Sequence, residues 1–260
     1  MTDTLVHVER EGAVGIIRLD RPPVNAINSA MHRQLEAAAQ EIDADRQVRA
    51  VLLHGGPKAF AGGADIKEMA GLGPAEIAVF SKSFTRALDA LAHLRVPTVA
   101  AITGYALGGG FELALTTDFR IVAEDALLGF PEITLGVIPG GGGTQRLPRL
   151  VGTTVAKRMI FTGAPIRGAR AVDIGLAEEA VPAADVLAGA MAFADRLAHG
   201  ATVALATAKR CIDDGMEVDL ATGLRIESAG FAALFASEDQ KHGMASFIAD
   251  GPGKATFSGR

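Results

Sequence analysis

The sequence contains no tryptophan, only one tyrosine and only one cysteine among its 260 residues. Proteins that bind single-stranded nucleic acid usually stack bases on several aromatic side chains, and few are available here. The lone cysteine, Cys211, excludes an intrachain disulfide and so indicates a reducing compartment. The chain also lacks an apolar run long enough to cross a bilayer, and its start lacks the apolar core of a signal peptide. We therefore expect a cytoplasmic protein without a membrane span.

Clustered charge of one sign is missing as well. The formal net charge is −5, and no basic run marks a nucleic-acid-binding face. Hydrophobic residues make up 49% of the chain, so a sizeable core can form. An anionic ligand would have to be held by a few local cations and backbone N–H groups. These features predict an ordinary globular protein that does not bind nucleic acid.

The hydrophobic pattern divides the chain into two parts. Short apolar runs predict strands at residues 5–8, 14–19, 48–54 and 98–103. Helices are predicted between them at residues 29–44, with Ser29 as N-cap, and at residues 74–93, which indicates an α/β architecture. Beyond these, helices without strands are predicted at residues 183–198, 202–214, 218–235 and 237–249. We therefore predict a core of residues 1–197 that carries the candidate site and a closely packed helical region of residues 198–260.

Two glycine-rich segments each follow a predicted strand and lead into a predicted helix. The first, AFAGGADIKEM at residues 59–69, opens a short helix at Asp65. The second, ITGYALGGGFE at residues 102–112, leads through three glycines to a helix at residues 111–115. The first N–H groups of a helix have no partner within it, so two such junctions can direct two donors at one oxygen. That is the requirement for an oxyanion hole, although a simple turn capped by Asp65 remains the alternative for the first segment.

Two glutamates lie beside or beyond these glycines. Glu112 follows them directly, and the positive end of the helix favours its ionised form, which suits a base or a water acceptor. Glu132 lies in the otherwise apolar residues 127–139, where burial would raise its pKa and allow proton exchange near neutrality. The alternatives are an ordinary first-turn glutamate at 112 and a glutamate bonded to backbone N–H groups at 132.

A fourth segment, GGGGTQRL at residues 140–147, predicts a loop that enters a helix with Arg146 in its first turn. Turn chemistry explains this loop, and an anion contact by Arg146 is the other interpretation. The six histidines show no metal-ligand spacing, and the chain has no nucleophile elbow, dinucleotide fingerprint or Walker A motif. Acid–base chemistry by carboxylates is what remains.

Taken together and in order, these segments resemble the enoyl-CoA hydratase/isomerase (crotonase) family over essentially the whole chain. The matching stretches are AFAGGADIKEM, GYALGGGFELAL, PEITLGVIPGGGGTQRL and SEDQKHGMASFIADG. The resemblance implies an α/β fold: a spiral of ββα units followed by a helical region used in trimer formation. It also implies that the N–H groups of Ala64 and Gly109 bind the thioester oxygen of an acyl-CoA. The family's two hydratase glutamates correspond to Glu112 and Glu132, and because isomerases generally lack one of them, the pair favours hydration.

The resemblance implies further contacts and partners. The residues implied to bind the acyl-CoA are Ala61, Gly63, Asp65, Ile66, Lys67, Gly108, Pro131, Gly140, Lys254 and Phe257. Lys254 and Phe257 are expected to reach the ligand of a neighbouring subunit, although the chain departs from the commoner family endings here. No metal and no cofactor are expected, because coenzyme A is part of the substrate. The expected assembly is a homotrimer or a dimer of trimers.

Three alternatives stay open at this point. A different acyl-CoA reaction on the same scaffold, such as double-bond isomerisation or hydration of an unusual acyl group, would use the same oxyanion hole. An RNA-binding relative is the second alternative, and the acidic balance of the chain speaks against it. The third is a silent scaffold that only oligomerises, which the two glutamates and the glycine junctions disfavour.

Overall fold

A computed structural model describes residues 3–260. Within them the strands are β1 (Val6–Glu11), β2 (Val14–Leu19), β3 (Ala50–His54), β4 (Thr98–Ile102), β5 (Tyr105–Leu107), β6 (Phe119–Ala123), β7 (Leu127–Gly129), β8 (Ile166–Arg167) and β9 (Glu179–Val181). The helices are α1 (Ser29–Ala44), α2 (Ile66–Met69), α3 (Pro74–Ala92), α4 (Gly109–Ala114), α5 (Gly143–Thr162), α6 (Gly168–Asp173), α7 (Val186–Ala198), α8 (Thr202–Met216), α9 (Leu220–Leu234) and α10 (Glu238–Asp250). A 3₁₀ turn covers Pro131–Leu135.

The larger sheet has the strand order β1-β2-β3-β4-β6-β9. Strands β1 and β2 form an antiparallel hairpin, and every later pairing in this sheet is parallel. All residues of β3 and β4 are buried, as expected for central parallel strands covered on both faces. Helix α7 packs against β3, β4 and β6 and so covers one of these faces.

A second layer forms where the chain leaves each parallel strand. In this layer β5 pairs in parallel with β7, and β7 pairs with β8. Single bridges extend it, because Ile27 pairs with Ala64 and Ala61 pairs with Ala106. Successive passes of the chain therefore add one segment to each layer in turn, which is the spiral that the resemblance implies. The edge of this layer positions the candidate site.

Helix α1 begins at Ser29, one residue earlier than a cap at Ser29 would place its first turn. The prediction that Ser29 caps it is wrong: Asn28 is the N-cap, and its side chain accepts a hydrogen bond from the Met31 N–H at 2.9 Å. Both residue types are good caps, so composition could not separate neighbouring candidates. Strand β1 is also displaced from the predicted residues 5–8, and α4 begins at Gly109 rather than at Phe111.

The α/β architecture with a helical C-terminal region is confirmed. Helices α8 and α9 pack closely together, and the tail after α10 is fixed by hydrogen bonds. Asp239 accepts from the N–H groups of Ser258 and Gly259 at 2.8 Å each, and Arg49 donates to the carbonyl of Phe257 at 3.2 Å. The division into two domains at residue 197 stays a prediction. No helix within residues 3–260 has the length and apolar character needed to span a bilayer.

Candidate active site

The first glycine segment brings a free amide to the edge of the second layer. Ala64 is bridged to Ile27: the Ile27 N–H donates to the carbonyl of Gly63, and the Asp65 N–H donates to that of Ile27, both at 2.8 Å. These two hydrogen bonds use the Gly63 carbonyl and the Asp65 N–H, which flank Ala64. Within residues 3–260, the Ala64 N–H itself has no acceptor.

Asp65 organises the same segment. Its Oδ1 accepts from the N–H groups of Lys67 at 3.0 Å and Glu68 at 3.4 Å, which caps α2. Its Oδ2 pairs with the guanidinium of Arg21 at 2.6 Å. Burial raises the pKa of Asp65, but the hydrogen bonds from Arg21 and the cap outweigh burial and leave that pKa below its usual value. The geometry thus gives Asp65 a structural task in addition to any contact with a ligand.

The second glycine segment places another free amide beside the first. Gly109 is the first residue of α4, and its N–H has no acceptor in the described chain. A Cβ placed on Gly109 would lie 3.4 Å from the Ala64 nitrogen, so the two amides are neighbours. Gly108 before it has φ 51° and ψ −128°, a conformation that essentially only glycine adopts. The two strand-to-helix junctions therefore meet, as the sequence predicted.

Glu112 is held rigidly inside the protein. Its side chain is 2% exposed, and Oε1 accepts hydrogen bonds from the N–H groups of Gly141 at 2.7 Å and Gly143 at 2.8 Å. Burial raises the pKa of Glu112, and these two amides and Arg146 oppose the rise without cancelling it. Desolvation is therefore the largest effect on the pKa of Glu112, and that the helix end favours its ionised form stays a prediction.

Glu132 has a different environment in the 3₁₀ turn. Its Oε2 is buried and has no hydrogen-bond partner among the described residues. Burial, together with a smaller effect of the Glu112 charge, raises the pKa of Glu132 to about 7, although a hydrogen bond from its own N–H opposes the rise. Both Glu132 oxygens approach Gly108, where a Cβ would lie 2.9 Å from Oε1 and 3.8 Å from Oε2. Glu132 therefore borders the same glycines that present the Gly109 amide.

The loop that holds Glu112 was not recognised from the sequence, which indicated turn chemistry or an anion contact by Arg146 at residues 140–147. Arg146 already has partners within the chain, because it donates to the Gly141 carbonyl and pairs with Asp89 of α3, each at 2.9 Å. The run of small residues was the available signal, since backbone donors need glycine to approach a carboxylate closely. Sequence spacing alone gives no hint that this loop returns to Glu112.

Comparison with known proteins agrees with this arrangement. The sequence model of the enoyl-CoA hydratase/isomerase family matches residues 9–258. The chain belongs to this family. A probable enoyl-CoA hydratase of Rhizobium meliloti (strain 1021) is 46% identical over 93% of this chain and 94% of its own. A short-chain-enoyl-CoA hydratase of Clostridium acetobutylicum is 40% identical, covering 94% of each chain.

Solved structures show the same fold. An enoyl-CoA hydratase subunit from Geobacillus kaustophilus HTA426 superimposes with a TM-score of 0.94, at 40% identity and over 99% of both chains. The crotonase-like spiral predicted from the sequence is therefore confirmed.

The remaining contacts that the resemblance implies lie in several elements of the fold. Ala61 hydrogen-bonds in the second layer, Pro131 begins the 3₁₀ turn, and the Gly140 carbonyl accepts from Ser81 at 3.3 Å. Ile66 is 49% exposed and Lys67 is also exposed, so both remain open to a ligand.

The predicted contacts in the tail lie among the C-terminal helices of their own chain. Phe257 lines a cavity of about 250 Å³ together with Phe231 and Met244, and Lys254 is exposed. The cavity is lined by residues from 201 onward and so does not include the glutamates. That Lys254 and Phe257 reach a neighbour's ligand stays a prediction.

Proposed function

We propose that this protein is an enoyl-CoA hydratase, which adds water syn across the 2-trans double bond of an acyl-CoA thioester to give a 3-hydroxyacyl-CoA. One observation carries the proposal: the N–H groups of Ala64 and Gly109, unpaired within residues 3–260, are neighbours, and the Glu132 carboxyl group lies against the adjacent Gly108. The Glu112 carboxyl group is close enough for its charge to act on Glu132, and burial raises the pKa of both glutamates. Each part of this arrangement matches one requirement of the reaction.

The first requirement is stabilisation of the enolate that forms when water attacks the β-carbon. The N–H groups of Ala64 and Gly109 are neighbours, and both would donate to the thioester oxygen as it gains negative charge. Because such donors are fixed before the reaction, each lowers the barrier by roughly 3–4 kcal/mol.

The second requirement is an oriented water. Glu112 has one oxygen bound by two amides and a second, Oε2, that accepts no hydrogen bond within residues 3–260. An ionised carboxylate fixed in this way can accept a proton from a water molecule with little reorganisation. Glu112 is therefore the base that activates the water.

The third requirement is a proton for the α-carbon. A carboxyl group with a pKa of about 7 is partly protonated at neutral pH, and Glu132 has no bonded partner at Oε2 to hold its charge. The water oxygen bonds to the β-carbon, its proton passes to Glu112, and Glu132 gives its proton to the α-carbon. The pair keeps one proton throughout, and no electron is gained or lost, so neither a metal nor a redox cofactor is needed.

We further propose short or medium acyl chains as substrates, since the similar Clostridium acetobutylicum protein is a short-chain-enoyl-CoA hydratase. Ala61, Gly63, Ile66 and Lys67 would line the path of the CoA portion. A cytoplasmic location is supported by the single cysteine, and the net charge of −5 supports the absence of nucleic-acid binding.

A homotrimer or a dimer of trimers is the proposed assembly. Large apolar side chains are exposed on the C-terminal helices, among them Leu220 at 78%, Ile248 at 84% and Phe231 at 63%. Phe161 at the end of α5 is 69% exposed as well. Exposed apolar side chains in this number are typical of protein–protein contacts, and sedimentation equilibrium would give the subunit number.

The deciding experiment is a hydration assay on crotonyl-CoA and longer 2-trans-enoyl-CoA thioesters, following loss of the conjugated thioester absorbance. The wild-type protein should turn over, and Glu112→Gln and Glu132→Gln should each lose about 100-fold or more in kcat. Glu41→Gln, an exposed glutamate on α1, is the matched control and should be unaffected.

Each alternative function predicts a different outcome, either in this assay or in an RNA-binding assay. Turnover of 3-enoyl-CoA without hydration would replace the proposal by isomerisation. No turnover of any thioester would favour a silent scaffold, and a salt-dependent shift of RNA would favour a binding protein. Full activity of either glutamine variant would refute the assigned pair.

A further inference from the structure

A buried histidine lies behind the site without any hydrogen bond. His32 of α1 is 0% exposed, and neither ring nitrogen has a partner among the described residues. Its ring stacks on Phe84 with centroids 4.9 Å apart and meets the edge of Phe80 at 4.7 Å. These three side chains form an aromatic cluster between α1 and α3.

Phe84 connects this cluster to both halves of the site. A Cβ on Gly109 would lie 3.2 Å from the Phe84 ring, and one on Gly141 would lie 2.6 Å from it. Gly109 carries one of the two free amides, and the Gly141 N–H donates to Glu112. One aromatic ring therefore contacts the backbone that presents the oxyanion donor and the backbone that fixes the base.

The imidazole has no evident advantage for folding in this place. A buried polar group without a partner destabilises the fold, whereas an apolar side chain of similar size would avoid that cost. Burial lowers the pKa of His32 to about 4, with Glu68 opposing the shift and Arg33 adding to it, so the ring is neutral at pH 7. A neutral flat ring stacks face to face on Phe84, and a branched aliphatic side chain cannot.

We propose that His32 is a positioning residue, which acts through the stacked ring of Phe84 to hold the Gly109 amide and the Gly141 loop in register. The inference rests on the proposed function for the roles of these two backbone segments. His32 does not touch the substrate. Its effect is geometric, and a displacement of about 1 Å at reacting groups can cost about 100-fold in rate.

The test compares His32→Ala, His32→Phe and Ile42→Ala with the wild type. Ile42 is equally buried in the last turn of α1, about 15 Å along the helix, and serves as the matched control for lost packing. His32→Ala should lower kcat on crotonyl-CoA about 10- to 100-fold with KM changed less than about twofold. His32→Phe, which keeps a ring against Phe84, should recover kcat to within about threefold.

A second measurement keeps this inference separate from the proposed function. Isotope-labelled butyryl-CoA cannot be hydrated, but its thioester carbonyl shows an infrared shift when two amides polarise it. That shift should be present in the wild type, reduced in His32→Ala and retained in Ile42→Ala. It can be measured even if no enoyl-CoA is hydrated, in which case only the proposed function fails.

Several results would overturn the inference. They are unchanged kcat and carbonyl shift in His32→Ala, equal losses in Ile42→Ala, failure of His32→Phe to recover activity, or no carbonyl shift in the wild type. If His32→Ala does not fold, His32→Leu replaces it and is judged by the same criteria.

Discussion

The loop and helix around Glu112 and the turn around Glu132 give the same residue type two different environments. Glu112 is almost fully buried and receives two backbone hydrogen bonds on one oxygen. Glu132 is half-buried, and one of its oxygens is enclosed without a donor. Burial raises the pKa of both carboxyl groups; two amides from the facing loop favour the charged form of Glu112, whereas at Glu132 only its own N–H does so.

This difference explains how two neighbouring glutamates can take separate roles. A carboxylate with donors keeps its charge and its orientation, so it suits a base. A carboxyl group with fewer donors, and with the charge of the first close by, keeps its proton to a higher pH and suits an acid. The separate roles of the two glutamates depend on backbone geometry around glycines, so replacing a glycine by alanine should disturb them.

The largest effect is expected from Gly108→Ala, which would disturb the environment of Glu132. Its methyl group would lie 2.9 Å from Glu132 Oε1 in a backbone conformation that alanine rarely adopts. We expect kcat to fall by about 100-fold or more, because the carboxyl group and the Gly109 amide both have to move. Steady-state kinetics and a thermal melt measure the two consequences.

Gly12→Ala separates backbone strain from damage to the site. Gly12 has φ 58°, close to that of Gly108, and nothing lies within 4 Å of the added methyl group. It should lose about 1–2 kcal/mol of stability with unchanged kcat. Similar kinetics for the two variants would contradict the placement of Glu132 against Gly108.

Gly141→Ala would disturb the environment of Glu112, and it should lower kcat somewhat less than Gly108→Ala does. The methyl group would lie 2.6 Å from Phe84 and 2.9 Å from Glu112 Oε2, so the loop has to shift and its hydrogen bond to Oε1 lengthens. We expect kcat to fall about 10- to 100-fold. Gly189→Ala, where the nearest atom is 3.9 Å away, is the control. Wild-type kinetics in Gly141→Ala would show that the Gly141 N–H does not matter to Glu112.

The pH dependence sharpens the comparison without a substitution. The active pair holds one proton, so activity should fall on the acid side as Glu112 is protonated and on the alkaline side as Glu132 loses its proton. With a pKa of about 7 at Glu132, kcat/KM should fall about tenfold per pH unit well above neutrality. Because hydration and dehydration both use the singly protonated pair, both should give the same profile. A flat rate between about pH 7 and 9 would remove Glu132 as the acid.

The sequence was sufficient for what depends on local pattern. Strand-to-helix junctions at Ala64 and Gly109 and a glutamate in an apolar stretch follow from neighbouring residues, and the structure has them. The donors to Glu112 lie 29 and 31 residues further along the chain, and Asp65 pairs with Arg21 44 residues away. Such contacts depend on the path of the chain in space, so residue type and spacing could not predict them.

The smallest effect is expected from Asp89→Asn, which tests how far the surface ion pair with Arg146 fixes the loop that binds Glu112. Arg146 joins the Gly141 carbonyl to Asp89, whose side chain is 49% exposed. An ion pair this exposed contributes about 0.2–1 kcal/mol, so kcat should fall no more than about fivefold. Asp173→Asn, which removes the exposed pair with Arg170, should change nothing measurable in the same assay. A loss in Asp89→Asn as large as that in Gly141→Ala would mean that the loop is held mainly by Arg146, and Glu112 would then be no more firmly fixed than Glu132.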